Sequence, residues 1–160
     1  MKLRNMTSLY LCRRDAVLCL YRLGSRVADH MYIGSAGGHF EEGELNDPEK
    51  CVLREMEEEL GLTAEDITGL TLRYITLRLK NGEIRQNYYF FAQMKEDKPL
   101  KSTEGILHWI PWENVETLEM PGSAKHMLLH YRDIGCRTDM VYGGITQETG
   151  TTFETFREFP

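Results

Sequence analysis

The chain has 160 residues, of which 41% are hydrophobic, so it has the length and apolar content of one ordinary domain with one core. Its formal charge is −6 without a basic stripe, which argues against binding a long nucleic-acid backbone, and no apolar run approaches the roughly 20 residues of a membrane helix. From this length we expect one domain, residues 1–160. The four cysteines form no C-x-x-C pair, and the N-terminus shows no apolar signal segment, so we expect the protein in a reducing cytoplasm.

The N-terminal part of the chain predicts two short strands. Met6–Cys12 and Ala16–Tyr21 are apolar and rich in Leu, Val and Tyr, which is typical of strands. Arg13–Asp15 between them has the polarity of a turn. These two strands open a chain that alternates α and β elements, so the sequence predicts an α/β fold.

A helix is predicted over residues 48–60. Asp47 is a good N-cap, Pro48 fits the first helical position, and Gly61 supplies a stop. An α-helix advances about 100° per residue, so four apolar side chains share one arc. This buried stripe comprises Val52, Leu53, Met56 and Leu60.

The clearest hairpin lies in the middle of the chain. Residues 70–80 and 83–94 are long β-branched and aromatic runs, joined at Asn81-Gly82, a pair that readily adopts a two-residue type I′ turn. The apolar alternation slips between Tyr74 and Ile75, which indicates a bulge or a strand buried on both faces.

The C-terminal third predicts three further features. Leu107–Trp112 reads as a strand, and residues 141–156 read as two strands around a turn at Gly150. Between them a helix opens at Pro121–Ser123 and ends at Gly135. Its apolar positions are Ala124, Met127, Leu128, Tyr131 and Ile134. His126 and His130 on this helix have metal-ligand spacing, but without a third ligand nearby we interpret them as ordinary surface histidines.

Residues 37–62 concentrate nine carboxylates against two basic residues. On the helix over residues 48–60, Glu55, Glu58 and Glu59 share one arc, whereas Glu57 points to solvent. An exposed acidic face is one explanation. However, a solvated helix usually alternates Lys with Glu at i,i+4, and Glu55 and Glu59 are like charges at that spacing. We therefore favour a carboxylate cluster for a hard divalent cation, with Mg²⁺ the usual partner of phosphate substrates.

The same segment resembles the Nudix box, G-x5-E-x7-R-E-U-x-E-E-x-G-U, where U is aliphatic. Gly38, Glu44 and the run from Arg54 to Leu62 match it, in a segment that covers about a sixth of the chain. Nine residues separate Glu44 from Arg54 where the family has seven. Because Asp47 restarts the chain as a helix, we place the two extra residues in the preceding loop.

The resemblance implies a Nudix fold, which is a mixed sheet sandwiched between helices, and hydrolysis of a nucleoside diphosphate linked to another group. It implies that Mg²⁺, with Mn²⁺ as the alternative, is held by Glu55, Glu58, Glu59 and the carbonyl of Gly37. Glu44 and Arg54 are then a supporting ion pair. The general base is expected to be a glutamate of the box or Glu104 in the loop before a strand, with Glu83 and Glu96 as weaker candidates.

A second resemblance concerns the substrate class. The segment around the box resembles MutT-type bacterial 8-oxo-dGTP diphosphatases, which implies cleavage of oxidised purine dNTPs to monophosphate and pyrophosphate. The position where such proteins carry a base-reading Asn is here the turn Gly122–Ala124. ADP-ribose or another nucleotide diphosphate therefore stays open as the substrate, in a monomer or a homodimer.

Two non-hydrolytic classes also stay open, as do several side-chain roles. A nucleotide-sensing Nudix domain usually lacks box glutamates, and an isopentenyl diphosphate isomerase needs a catalytic Cys–Glu pair, for which Cys51 is the nearby thiol. We interpret Cys51 as a small semi-buried residue. Four aromatic side chains either stack on a nucleotide base or pack in the core: Tyr32, Phe40, Tyr88 and Tyr89. Three arginines of the hairpin either contact phosphates or are exposed charges on an edge strand of the sheet: Arg73, Arg78 and Arg85.

Overall fold

Nine strands and two α-helices form the regular structure of the described residues, 1–26 and 28–160, in a computed structural model. The strands are β1 (Lys2–Cys12), β2 (Ala16–Arg22), β3 (Tyr32–Ile33), β4 (Ala36–His39), β5 (Ile67–Lys80), β6 (Glu83–Met94), β7 (Gly105–Pro111), β8 (Tyr142–Gln147) and β9 (Gly150–Thr155). The helices are α1 (Pro48–Leu60) and α2 (Gly122–Asp133), and 3-10 turns lie at Ala64–Asp66, Trp112–Thr117 and Gly135–Arg137. No helix in this part of the chain is long and apolar enough to span a membrane.

All nine strands belong to one mixed sheet, as predicted. The order is β3-β2-β1-β6-β5-β8-β9, with β4 paired to β1 and β7 paired to β2. The β1–β6 and β5–β8 pairs are parallel, and the other pairs are antiparallel. This topology places β4 on the opposite side of β1 from the β5–β6 hairpin.

The two faces of the sheet carry separate apolar clusters because strand side chains alternate. Leu9 of β1 packs in one cluster with Met56 of α1. The next residue, Tyr10, packs in the other cluster with Met127 of α2. The sheet is therefore sandwiched between helices, which confirms the predicted architecture.

Local signals for α1 and the hairpin are confirmed. The side chain of Asp47 accepts a hydrogen bond from the backbone N–H of Lys50 at 3.1 Å, and Gly61 ends α1 with φ 68°. Asn81 and Gly82 both have positive φ, 53° and 72°, as a type I′ turn requires. The β5–β6 register shifts between Leu72 and Tyr74, so the bulge lies just before the predicted position.

Several boundaries were wrong. β1 begins four residues before Met6, and Trp112 belongs to a 3-10 turn instead of a strand. Ile134 is 50% exposed, because α2 has already ended at Asp133, so it is not part of the buried stripe. Neither β3 nor β4 was predicted. The sequence of β4, AGGH, lacks β-branched residues and is held in the sheet by its pairing with β1.

Candidate active site

The strand β4 brings two glycines against neighbouring backbone and side chains. Gly37 has φ 151°, and a Cβ atom there would lie 2.2 Å from the carbonyl oxygen of Thr7. A Cβ atom on Gly38 would lie 2.4 Å from Oε1 of Glu55. The absence of side chains therefore allows β4 to pair closely with β1 and allows the carboxylate of Glu55 to rest on the β4 backbone.

Glu59 also reaches β4 from the surface of α1. Its Oε2 accepts a hydrogen bond from the N–H of Gly37 at 3.0 Å. Burial raises the pKa of Glu59 to about 7, although that hydrogen bond acts against the shift, and the charges of Glu104 and Glu55 add to it. Burial is also the main cause that raises the pKa of Glu55. Two carboxylates are thus held in surroundings that disfavour uncompensated negative charge.

Arg54 is the cation that the chain itself supplies to this cluster. Its Nε and Nη2 donate to the two oxygens of Glu44 at 2.6 and 3.1 Å. Its Nη1 donates to Glu55 at 2.9 Å and to Glu58 at 3.1 Å, and Nη2 also donates to the carbonyl of His39. The expected Glu44–Arg54 pair is present in bidentate form, and its role in supporting metal ligands stays a prediction.

The Glu44–Arg54 pair predicts a pH-dependent stability. Hydrogen bonding to Arg54 is the main cause that lowers the pKa of Glu44 to about 2 from 4.5. A depressed carboxyl pKa stabilises the fold above the unfolded value and loses that effect as pH falls through the folded value. Glu44→Gln is therefore expected to lower the free energy of unfolding by about 2 kcal/mol at pH 7, and the difference from wild type shrinks between pH 4.5 and 2.

Urea unfolding at a series of pH values checks this expectation. The matched control is Glu41→Gln, because the Glu41 side chain is 64% exposed and lies 3.6 Å from Arg54. We expect little loss of stability in this control. A stability difference between wild type and Glu44→Gln that stays constant from pH 7 to pH 2.5 would contradict the account.

The donor set around β4 fits a hard divalent cation. Such ions prefer carboxylate and carbonyl oxygens, and a cation would offset the charge of the partly buried Glu55 and Glu59. Within the described ranges no group of three or more Asp, Glu, His or Cys side chains is arranged as a preformed metal site. Arg54 instead engages Glu55 and Glu58. The ligand roles of these three glutamates and of the Gly37 carbonyl stay predictions.

The glutamates form one wall of a cleft of about 600 Å³. Strands β1, β5 and β6 also contribute residues to its lining. The carboxylates on the cleft come from Glu41, Glu55, Glu58, Glu59 and Glu104, and its guanidinium groups come from Arg4, Arg22, Arg26, Arg54, Arg78 and Arg85. A cleft with both signs of charge suits a phosphorylated ligand that approaches together with a cation.

The three candidate bases outside the box lie in different surroundings. Glu104 lines the cleft and is close enough for its charge to raise the pKa of Glu59. Glu83 is engaged with Arg4 at 2.9 Å and with Arg85 at 3.0 Å. Glu96 is exposed after the end of β6. Position therefore favours Glu104, whose role as a base stays a prediction.

The three hairpin arginines separate into two groups. Arg78 and Arg85 line the cleft. Arg73 is 8% exposed and donates to the carbonyls of Gly135, Thr138 and Met140, so neither interpretation made from the sequence was right for it. Three backbone acceptors explain how the bulged strand tolerates a buried guanidinium.

The four aromatic candidates also differ. Phe40 lines the cleft and lies 5.3 Å from the Tyr88 ring, while Tyr88 packs against the core. Tyr89 is 1% exposed and belongs to the core, although it also borders the cleft. Tyr32 packs 4.9 Å from the Tyr21 ring. Phe40 is thus the ring best placed to contact a ligand.

The turn Gly122–Ala124 borders the cleft at the start of α2, through Ser123 and Ala124. It carries no amide side chain. Sequence reasoning missed an amide elsewhere, at Asn87 of β6, and missed Tyr10 and the cleft arginines of β1 and β2. Only the strand register, which places alternate residues on one face, could have indicated Asn87.

Three further candidate side chains have structural roles. His130 Nδ1 lies 2.8 Å from the hydroxyl of Tyr74, and His126 Nδ1 lies 2.9 Å from that of Thr151. Cys51 is fully buried, so it was wrongly expected to be semi-buried, and burial raises its pKa to about 11. A thiol in this state is a poor nucleophile or acid–base group near neutral pH, which argues against the isomerase alternative.

A family model identifies the domain that this chain contains. Residues 2–131 match the NUDIX domain. A comparison with curated proteins finds no match. Solved structures with the same fold include a mutator MutT protein from Bacillus halodurans, with TM-score 0.66 and 23% identity over 95% of this chain and 97% of that one.

Two other solved structures illustrate the range of this fold. A C. elegans Ap4A hydrolase has TM-score 0.66 and 15% identity over 86% of this chain and all of its own. The NUDIX domain of Shewanella oneidensis NrtR, solved with ADP ribose, has TM-score 0.61 and 14% identity over 83% of this chain and 87% of its own. At these identities the likeness establishes the fold alone.

Proposed function

Because the chain belongs to the Nudix hydrolase family, we propose that it is a cation-dependent pyrophosphohydrolase whose substrates are oxidised purine deoxynucleoside triphosphates. Residues 1–160 act as one domain in this proposal. The observation that carries it is the convergence of Glu55, Glu58 and Glu59 with the β4 glycines on the wall of a cleft lined by arginines. The products are a nucleoside monophosphate and pyrophosphate.

The glutamates of α1 and the backbone of β4 form the cation site in this proposal. Glu55, Glu58, Glu59 and the Gly37 carbonyl would hold Mg²⁺ or Mn²⁺, which would neutralise phosphate charge and activate water. In this arrangement Arg54 stays paired with Glu44. The Glu44 side chain is 4% exposed, and it fixes the Arg54 guanidinium beside α1.

Two other residues act inside the cleft. Arg22 is near enough for its charge to lower the pKa of Glu59, so it places positive charge beside the carboxylates, where the phosphate chain lies in this proposal. Glu104 accepts the proton of the attacking water. A side chain with this task must face the same cleft as the ligands of the cation, as Glu104 does.

The position of bond cleavage tests this proposal. We expect attack at the inner phosphorus, so a nucleoside triphosphate yields monophosphate plus pyrophosphate, and hydrolysis in ¹⁸O-labelled water places the label in the monophosphate. Chromatography and mass spectrometry of the products check both points. Release of orthophosphate with a diphosphate, or label in pyrophosphate, would refute the proposed attack site.

The same assay separates the alternative substrates. Solved relatives with this fold include a MutT protein, an Ap4A hydrolase and a domain with ADP ribose, so the fold does not choose among them. We expect faster hydrolysis of 8-oxo-dGTP than of dGTP or ADP-ribose at equal concentration. Preference for ADP-ribose would refute the substrate and leave the cation chemistry standing. Nucleotide binding with no turnover of any compound would indicate a sensor.

A further inference from the structure

The α1 side of the sheet is covered over only part of its length. The buried strand residues that pack with α1 begin at Leu9 of β1 and, on β6, include Phe90 and Ala92. Toward the start of β1 and the β5–β6 turn the same side is open to solvent, where Leu3 is 65% exposed and Leu79 is 64% exposed. Large contiguous apolar patches on a protein surface commonly mark a contact site.

The register of β1, β6 and β5 joins apolar residues at this end into one surface. Leu3 faces Ile84, and Ile84 faces Leu79. Leu77 lies two residues before Leu79 and therefore points to the same side of β5. Neither Leu77 nor Ile84 packs in the two apolar clusters of the described residues. These four side chains form a continuous apolar surface across three strands.

Strands β8 and β9 extend this surface. Ile145 is 49% exposed and faces Leu77 in the parallel β5–β8 pair. The Phe156 side chain is 56% exposed, and its ring would lie 3.1 Å from a Cβ atom on Gly143, two residues before Ile145 on the same side of β8. We call this surface the bare face. It comprises Leu3, Leu77, Leu79, Ile84, Ile145 and Phe156.

The charged residues at this end of β1, β5 and β6 lie on the other side of the sheet. They occupy the alternate positions, which are Lys2, Arg4, Arg78, Lys80, Glu83 and Arg85. A sheet with one solvated side usually turns its polar residues to the solvent and its apolar residues to a packed side. The bare face carries the apolar set although it is exposed, so its sequence is that of a surface covered by a partner.

The bare face suits a second copy of the same chain. In a twofold contact the same patch occurs on both partners, so any charge in its centre would meet the same charge. The strand positions beside the bare face are the uncharged Asn5, Gln86 and Thr152, and the carboxylate of Glu154 lies on the outermost strand, β9. Two copies can therefore meet without like-charge repulsion at the centre, whereas a highly charged partner would find no complementary group there.

The size of the bare face fits a reversible dimer. At a strand spacing of about 4.8 Å and a rise of about 3.3 Å per residue, five strands by five residues cover about 400 Å² in projection. Standard interfaces bury about 800 Å² on each partner, and transient interfaces bury less than about 600 Å². Met1 and Phe159 are 84% and 92% exposed, and they add apolar area two and three residues beyond Leu3 and Phe156.

We propose that the bare face is a homodimer interface, in which two sheets pack face to face about 10 Å apart. The arginines of these strands that line the cleft occupy the alternate positions and point to the other side. The interface is thus separate from the cleft, and it does not depend on the proposed function.

Sedimentation equilibrium of the intact protein from about 1 µM to about 200 µM tests this proposal. We expect the mass to rise from 18.6 kDa toward twice that value, with a dissociation constant of about micromolar magnitude. Thermal unfolding is an independent readout, because association of folded chains makes Tm rise with protein concentration. A monomer at every concentration would overturn the proposal and leave the C-terminal tail or a different chain as the occupant.

Two lysine variants locate the interface. Leu3→Lys and Leu79→Lys change largely exposed side chains, so the fold should tolerate them, but each places an ammonium group between two apolar faces. We expect dimerisation at least about tenfold weaker and a Tm that no longer depends on concentration. The matched control is Ile134→Lys, because Ile134 is 50% exposed at the end of α2, on the other side of the sheet.

The control should dimerise as wild type does. Circular dichroism identifies which variants are folded, and either lysine variant of the bare face is sufficient for the test. Dimerisation in a folded Leu3→Lys or Leu79→Lys protein that is as tight as in wild type would overturn the proposal. An equal loss of dimerisation in Ile134→Lys would also overturn it, because the contact would then not be specific to the bare face.

Discussion

Replacing Glu58 or Glu59 by glutamine is expected to lower kcat by about 100-fold or more. In the proposed mechanism each change removes a negative charge that holds the cation, and the cation acts mainly on charge that develops in the transition state. Glu59 is the stronger test, because its carboxylate is fixed to the N–H of Gly37. Steady-state kinetics with a saturating nucleoside triphosphate measures the effect.

The matched control is Glu57→Gln on the same helix. Glu57 is exposed and lies outside the arc of the other glutamates, so we expect kcat within about twofold of wild type. Circular dichroism and thermal unfolding must show that all three variants are folded. Equal losses of activity in all three variants would show that the assigned face of α1 is wrong.

Removal of divalent cations is expected to abolish hydrolysis. The carboxylates of Glu55 and Glu59 lie where burial raises their pKa, and without a cation they can neither neutralise a phosphate chain nor activate water. Excess EDTA should reduce product release to the uncatalysed background, and added Mg²⁺ or Mn²⁺ should restore it. Substantial hydrolysis in excess EDTA would contradict the mechanism.

The parts of the fold that sequence predicted well are encoded locally. The N-cap at Asp47, the proline after it and Gly61 define both ends of α1 within the residues themselves. Asn81-Gly82 likewise defines the hairpin by its own backbone preference. These signals depend on a few neighbouring residues and need no knowledge of the tertiary structure.

The Glu44–Arg54 pair forms although the loop before α1 is longer than in the family pattern. The loop between them is two residues longer than the family pattern, yet the pair forms at 2.6 Å. Asp47 N–H donates to the carbonyl of Glu44 at 2.8 Å, so a tight turn lies directly before α1. The added length is therefore absorbed before the helix, and the spacing of the glutamates along α1 is unchanged.

The parts that sequence could not predict depend on contacts between distant segments. The strand β4 has no intrinsic strand preference and exists through its pairing with β1. Arg73 resembles an exposed strand residue until three carbonyls from residues 135–140 surround it. Tyr10 and Asn87 reach the cleft only through the register of β1 and β6. None of these contacts leaves a periodic pattern in the sequence.

In the proposed mechanism, the glutamates on one face of α1 hold the cation that activates water for cleavage of the nucleotide. Its most direct test follows hydrolysis of one triphosphate by wild type, Glu59→Gln and Glu57→Gln through addition of Mg²⁺, then EDTA, then excess Mg²⁺. The account predicts reversible, cation-dependent turnover in wild type and Glu57→Gln, and almost none in a folded Glu59→Gln. Turnover that persists in EDTA, or a Glu59→Gln enzyme as active as Glu57→Gln, would contradict it.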